Sequence, residues 1–141
     1  MRYLELELMG QTAARPRVFA ADALFAEERM VKDEAEQAAM RRAVALAQQA
    51  LEATLPLVRP GVSERAVAAE LTLQLLRLGS DPGLPFSPIV AAGANAAAPH
   101  AVPGDKVLAP GELVIIDWGA CVDGYFSDLT RTFALGGAPV D

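Results

Sequence analysis

The sequence predicts an α+β domain in which two helices pack on an antiparallel sheet. Two stretches between residues 33 and 78 repeat apolar side chains at helical spacing, and each begins with a capping residue. Residues 114–132 are instead typical of two strands joined by a tight turn, because apolar runs flank the turn signal Asp123-Gly124. With 141 residues, 52% of them hydrophobic, the chain can bury the core of one such domain.

The segment before the helices is short and mixed. Leucine and glutamate alternate over residues 4–8, which predicts a strand with one face in water. The segment is too small to form a domain of its own. We therefore expect it to be an edge strand followed by a linker.

The first predicted helix begins near Asp33, which has the spacing of a capping box with Glu36. The run Arg59-Pro60-Gly61 ends it. One face carries an apolar stripe, formed by Ala39, Ala43, Leu46, Ala50 and Leu51.

The second predicted helix has Ser63 as its N-cap and Gly79 as its C-cap. Its apolar face consists of Val67, Leu71, Leu75 and Leu78. Because alanine is abundant in both helices, we expect them to pack closely against the sheet as structural elements without chemistry of their own.

A loop rich in proline and glycine follows over residues 80–110, and it holds His100, the only histidine. Loops carried by a rigid scaffold are common places for binding residues. His100 is therefore a candidate functional residue. The alternative, a histidine at the surface or paired within the core, stays open at this point.

The predicted hairpin brings two carboxylates together. If Asp123-Gly124 forms a two-residue turn, residue 117 lies opposite residue 130, and Asp128 shares a face with residue 130. Asp117 and Asp128 are then diagonal neighbours about 7–8 Å apart at the backbone. Two such carboxylates repel each other unless one takes up a proton or a cation lies between them. Their oxygens suit Mn, Co or Zn. From spacing alone, the alternative that Asp117 ends a strand in solvent and Asp128 caps a turn stays equally open.

Composition narrows the partners and the compartment. The net charge of −6 and the pI of about 4.7 argue against nucleic acid and anionic membranes as partners. The single cysteine, Cys121, excludes an internal disulfide and fits a reducing cytosol. No signal peptide or membrane-spanning run is evident. We therefore expect a cytoplasmic protein.

Five motifs follow one another along the chain: Arg29 to Glu36, Arg59 to Glu64, Phe86 to Ala101, Leu108 to Ala120 and Gly124 to Phe133. In this order and spacing they resemble the Xaa-Pro peptidase branch (prolidase and aminopeptidase P) of the M24 metallopeptidase family. The similarity runs from about residue 29 to about residue 137. Pro99-His100-Ala101 favours this branch over the methionine aminopeptidases.

This resemblance implies a pita-bread fold, a curved antiparallel sheet covered by helices, and a peptidase that hydrolyses the bond before proline at the N-terminus of peptides. It also implies a dinuclear site for two divalent metal ions with five protein ligands. Carried over by motif, Asp117 would bind one metal through both oxygens and Asp128 would bridge the two metals. His100 would lie near the substrate and stabilise the reacting peptide.

The remaining ligands of the family are a histidine and two glutamates downstream of the matched motifs. This chain has no second histidine and no glutamate after Glu112. We therefore expect a fragment: residues 1–28 would be the tail of a small N-terminal domain or a linker, and residues 29–141 the first half of the catalytic domain. Alone it would bind metal weakly and be inactive, and it would associate with itself or with a complementary C-terminal half.

A second function stays open at this stage. Some relatives keep the fold without the metals, so the chain could be a non-catalytic pita-bread binding domain. Bound Mn, Co or Zn in a complete protein would favour the peptidase, and a metal-free pocket would favour the binding domain.

Overall fold

The computed structural model describes residues 7–8, 11 and 22–137. The chain forms two compact units, Met1–Lys32 and Asp33–Asp141. In the first unit, helix α1 spans Asp22–Met30, with an acidic residue in its first turn and a basic residue in its last turn. The sequence did not predict this helix. The predicted strand over residues 4–8 is wrong for Glu7 and Leu8, which are helical, and its residues 4–6 lie outside the described part.

The second unit begins with helix α2, Glu34–Thr54, and the predicted capping box is confirmed. The backbone N–H of Glu36 donates to Asp33 Oδ1 at 2.8 Å, and the backbone N–H of Asp33 donates to Glu36 Oε2 at 2.7 Å. The buried face is mostly alanine, which lets the sheet approach the helix closely. It consists of Ala39, Ala43, Ala47, Ala50, Leu51 and Thr54.

A 3₁₀ turn, Leu55–Leu57, and the break at Arg59-Pro60-Gly61 separate α2 from helix α3, Glu64–Arg77. The predicted N-cap is confirmed, because Ser63 Oγ accepts a hydrogen bond from the backbone N–H of Ala66 at 3.2 Å. Its buried positions are Glu64, Val67, Leu71 and Leu75. Among the helices of the described ranges, none is long and apolar enough to cross a membrane.

The sheet that carries the candidate residues has three antiparallel strands in the order β1-β2-β5. Strands β1 (Ile89–Ala92) and β5 (Leu129–Ala134) flank β2 (Leu113–Trp118). One face of β2 is fully buried in the core with α2 and α3, through Val114, Ile116 and Trp118. The other face carries Leu113, Ile115 and Asp117, since strand side chains alternate.

Trp118 anchors the helix-facing side of the sheet. It is fully buried, and its indole N–H donates to the carbonyl oxygen of Ala47 in α2 at 2.9 Å. Because neighbouring side chains on a strand alternate, it faces away from Asp117. This fixed orientation determines which side of β2 the carboxylate occupies.

The hairpin turn and register are confirmed. Asp123 and Gly124 both have positive φ, 53° and 78°, as a two-residue hairpin turn of type I′ requires. Asp117 pairs with Thr130. The prediction of two continuous strands is wrong, because the tip forms a separate two-stranded sheet, β3 (Cys121–Val122) with β4 (Tyr125–Phe126).

A side chain interrupts the ladder between the two sheets. The backbone N–H of Ser127 donates to the carbonyl of Ala120, but the backbone N–H of Ala120 donates to Ser127 Oγ, both at 2.9 Å. The Ser127 hydroxyl donates in turn to the carbonyl of Ala43 in α2 at 3.2 Å. The hydroxyl therefore replaces a ladder carbonyl and ties this point of the hairpin to the helix.

Candidate metal centre

Asp117 lies at the end of β2 on the face turned away from the helices. Its neighbours in register are Ile89 on β1 and Thr130 on β5. Asp128 directly precedes β5 and shares the side of Thr130 by strand alternation. The charge of Asp128 raises the pKa of Asp117, so the two carboxylates are close enough to interact. Asp117 therefore lies near the end of β2, and Asp128 lies just before the start of the neighbouring strand β5.

The environment of Asp117 disfavours its charged form. Partial burial raises the pKa of its carboxyl above the ordinary value of 3.8, and the charge of Asp128 raises it further. The neighbouring Thr130 side chain and His100 both act in the opposite direction. Asp117 Oδ1 is buried and has no hydrogen-bond partner. A buried carboxylate oxygen without a partner is costly, and a cation would satisfy it.

Because the pKa of Asp117 is raised, this residue is expected to make the free energy of unfolding larger in acid than at neutral pH. The folded state binds the proton of the Asp117 carboxyl more tightly than the unfolded state does. Above the folded-state pKa, the charged carboxylate therefore destabilises the folded state by its full amount, and this is the destabilising effect. It is lost as pH falls through that value toward 3.8. Asp117→Asn, which does not titrate, lacks this effect. We expect the free energy of unfolding of the wild type to rise relative to the variant over that interval in urea titrations without metal. A constant difference, or one of opposite sign, would contradict the assignment.

His100 lies on the loop after the 3₁₀ helix Gly93–Ala97 and is exposed. Its charge lowers the pKa of Asp117, so it lies within electrostatic range of that carboxylate. The fold thus brings both His100 and Asp128 within electrostatic range of Asp117, although the three residues are separated along the sequence.

The pair of aspartates fits part of a metal site. Two carboxylates offer hard oxygen ligands, and the unpartnered Oδ1 of Asp117 supplies a free one. Within residues 7–8, 11 and 22–137, no three His, Cys, Asp or Glu side chains converge as a metal-binding group. The described residues therefore supply two carboxylate ligands, and the rest of a coordination shell would come from water or other groups.

Two residues connected with the candidate residues have no role predicted from the sequence. Thr130 is the register partner of Asp117, and its side chain lowers the pKa of the Asp117 carboxyl; strand parity was the available signal, because it places residue 130 opposite residue 117. Glu64 is fully buried and bonds the loop that carries His100. No local pattern marks it, because its partners are 28 to 40 residues away in the sequence.

The chain belongs to metallopeptidase family M24, which it matches over residues 38–141. It is similar to the Xaa-Pro dipeptidases of Pyrococcus horikoshii (35% identity over 115 residues) and Lactobacillus delbrueckii subsp. lactis (39% over 112 residues). These alignments cover 82% and 79% of this chain, but 32% and 30% of those proteins. The chain thus spans about a third of the length of these curated relatives.

Solved structures confirm the fold class. The chain is similar to a Xaa-Pro dipeptidase from Bacillus anthracis (TM-score 0.91, 32% identity) and to the prolidase from Pyrococcus furiosus (TM-score 0.91, 29% identity). Each alignment covers 99% of this chain, but only 39% and 41% of the other chain. The fold is therefore an incomplete pita-bread fold, with helices packed on an antiparallel sheet.

Proposed function

We propose that this chain contributes Asp117 and Asp128 as metal ligands to the catalytic centre of a peptidase that hydrolyses Xaa-Pro bonds. One observation carries the proposal: Asp117 has a buried, unpartnered carboxylate oxygen, and Asp128 is close enough for its charge to raise the pKa of Asp117. By resemblance to the family, the carboxylates of Asp117 and Asp128 would both hold the divalent ions.

Two divalent ions, Mn, Co or Zn, would supply a nucleophilic hydroxide near neutral pH and polarise the scissile carbonyl. The residues of this chain would then bind the ions and orient the substrate. Asp117 and Asp128 would hold the ions at the end of β2, where Asp117 is paired in register with Thr130. His100, exposed on its loop, is placed to hydrogen-bond the reacting peptide.

The proposed substrates are peptides with proline at the second position. The motif Pro99-His100-Ala101 and the names of the similar dipeptidases support this substrate class. We place the reaction in the cytoplasm, on the acidic balance and the single cysteine. Nucleic acid and membranes are not proposed as partners.

The 141-residue chain alone is proposed to be inactive. Two carboxylates leave most of each metal's coordination shell to water, so the ions would be held weakly and placed poorly. The natural partner is a complementary C-terminal half, within a longer polypeptide or as a separate chain, or a second copy of this chain. A partner would also pair the edges of the three-stranded sheet.

The test uses the natural product. Its intact mass and metal content are measured, followed by hydrolysis of an Xaa-Pro dipeptide and of the matched Xaa-Ala dipeptide. We expect a species that contains more than these 141 residues, holds divalent metal and cleaves only the proline peptide. The pure 141-residue chain with added Mn²⁺ should give no turnover. Turnover by that chain alone, or a metal-free natural product, would contradict the proposal.

A non-catalytic binding domain is the second candidate. It is favoured by one observation, namely that the described residues contain no group of three metal-binding side chains. Metal content separates the two functions: a natural product that stays metal-free after equilibration with Mn²⁺ supports the binding domain, and stoichiometric metal supports the peptidase.

A further inference from the structure

Glu64 is a buried acid in a place where packing alone would favour an apolar residue. It is the first residue of α3, it is fully buried, and the next buried positions of that helix are valine and leucine. Its side-chain partners are all neutral N–H groups rather than cations. A buried charge without a cation is costly, although the N-terminus of α3 and three donors offset that cost.

The three donors lie at both ends and in the middle of one loop. Glu64 Oε1 accepts from the backbone N–H of Ala92, at the end of β1, at 2.9 Å. Glu64 Oε2 accepts from the side-chain amide of Asn95 at 2.9 Å and from the backbone N–H of Gly104 at 3.2 Å. One carboxylate therefore holds the two ends of the segment 92–104 together, and this segment contains His100.

Backbone hydrogen bonds of two successive turns connect Asn95 with the segment that contains His100. The carbonyl of Asn95 accepts from the backbone N–H of Ala98, and the carbonyl of Ala98 accepts from that of Ala101, both at 3.2 Å. His100 lies inside the second of these turns. Its backbone position is thus fixed on one side through Asn95 and on the other through Gly104, and both contact the same carboxylate oxygen.

We propose that Glu64 is a positioning residue, whose carboxylate holds the 92–104 loop so that His100 stays beside Asp117 and Asp128. This rests on the proposed function in that it assigns a purpose to the position of His100. It goes beyond that function, since the side chain of Glu64 bonds the loop of His100 rather than the aspartate pair. The three bonds themselves can be tested without metal.

The direct test is Glu64→Gln in the 141-residue chain. The glutamine carbonyl can still accept from Ala92, but its amide group presents N–H donors to the donors of Asn95 and Gly104. We expect the backbone amide of Gly104 to exchange about 10- to 100-fold faster with deuterium, as fits the loss of a hydrogen bond to a charged group. We also expect the ring signals of His100 to shift in NMR spectra, where it is the only histidine.

Two measurements separate positioning from general stability. Amides of the central strand, at Val114 and Ile116, report global opening, and the expected result leaves their exchange unchanged. The matched control is Glu70→Gln, which removes the same charge from α3, where Glu70 contacts Gln74 and Arg77. This control should leave the signals of His100 and the exchange of Gly104 as in the wild type.

Asn95→Ala removes the hydrogen bond between the Asn95 side chain and Glu64 by changing the loop residue. If Glu64→Gln does not fold, this variant tests the positioning role of Glu64 instead. It should shift the His100 signals, and the effects of the two substitutions should be less than additive where both can be measured. Unchanged His100 signals in either folded variant, or equal acceleration of exchange at Gly104 and Ile116, would overturn the proposal. A natural product that holds no metal would contradict the proposed function instead, because none of these readouts uses metal.

Discussion

Gly119→Ala is expected to cost about 3 kcal/mol of stability, at or above the upper end of ordinary overpacking. A Cβ at this position would lie 2.0 Å from the carbonyl oxygen of Ser127 and 2.6 Å from Pro85 Cγ. The first of these atoms is backbone and cannot rotate away. The strands must therefore separate at the point where the Ser127 hydroxyl joins the two sheets, next to Asp128.

The matched control for this substitution is Gly83→Ala. An added Cβ there has no atom within 4 Å, and Gly83 does not have the left-handed φ that would strain alanine. Urea unfolding followed through Trp118, the only tryptophan, measures both variants. We expect a large loss for Gly119→Ala and almost none for the control. Equal stabilities would show that the strands do not approach this closely.

The second large effect concerns metal. Asp117→Asn and Asp128→Asn should each weaken Mn²⁺ binding by on the order of tenfold or more, since the attraction between opposite charges a few ångströms apart near a surface is worth a few kcal/mol. The loss of free Mn²⁺ signal in electron paramagnetic resonance measures the affinity. Binding should also weaken as pH falls, because protons compete for the raised-pKa carboxyl of Asp117.

Asp123→Asn is the control for the metal experiment. Asp123 is an exposed aspartate at the tip of the same hairpin, paired with Arg42 at 2.5 Å. Its φ is positive, a conformation that asparagine tolerates. The control removes the same charge without touching the candidate site. Equal Mn²⁺ affinity in Asp117→Asn, Asp123→Asn and the wild type would mean that binding is nonspecific attraction to an acidic protein.

The parts of the site that follow from strand parity could be predicted. The turn at Asp123-Gly124 fixes the register, and the register places Asp117 opposite Thr130 with Asp128 on the same side. The helix caps at Asp33 and Ser63 could also be predicted, because capping depends on residues only three positions apart.

The parts of the fold and of the site that depend on contacts between distant residues could not be predicted from the sequence. Ser127 breaks the ladder because its hydroxyl finds a carbonyl of α2, 84 residues earlier in the sequence. Glu64 finds partners up to 40 residues away. The sequence does not predict helix α1, because residues 22–30 follow a short mixed segment whose pattern favours a strand and a linker. The predicted boundary between residues 28 and 29 stays a prediction.

The central claim is that a divalent cation binds between Asp117 and Asp128, close to His100. Paramagnetic broadening by Mn²⁺ in NMR spectra of this chain tests it most directly, because the broadening falls steeply with distance from the ion. Substoichiometric Mn²⁺ is expected to broaden the ring signals of His100 and the amide signals of Ile89 and Thr130, while the signal of Gly124 at the hairpin tip stays sharp. Broadening centred on other exposed acids, or unchanged by Asp117→Asn, would contradict it.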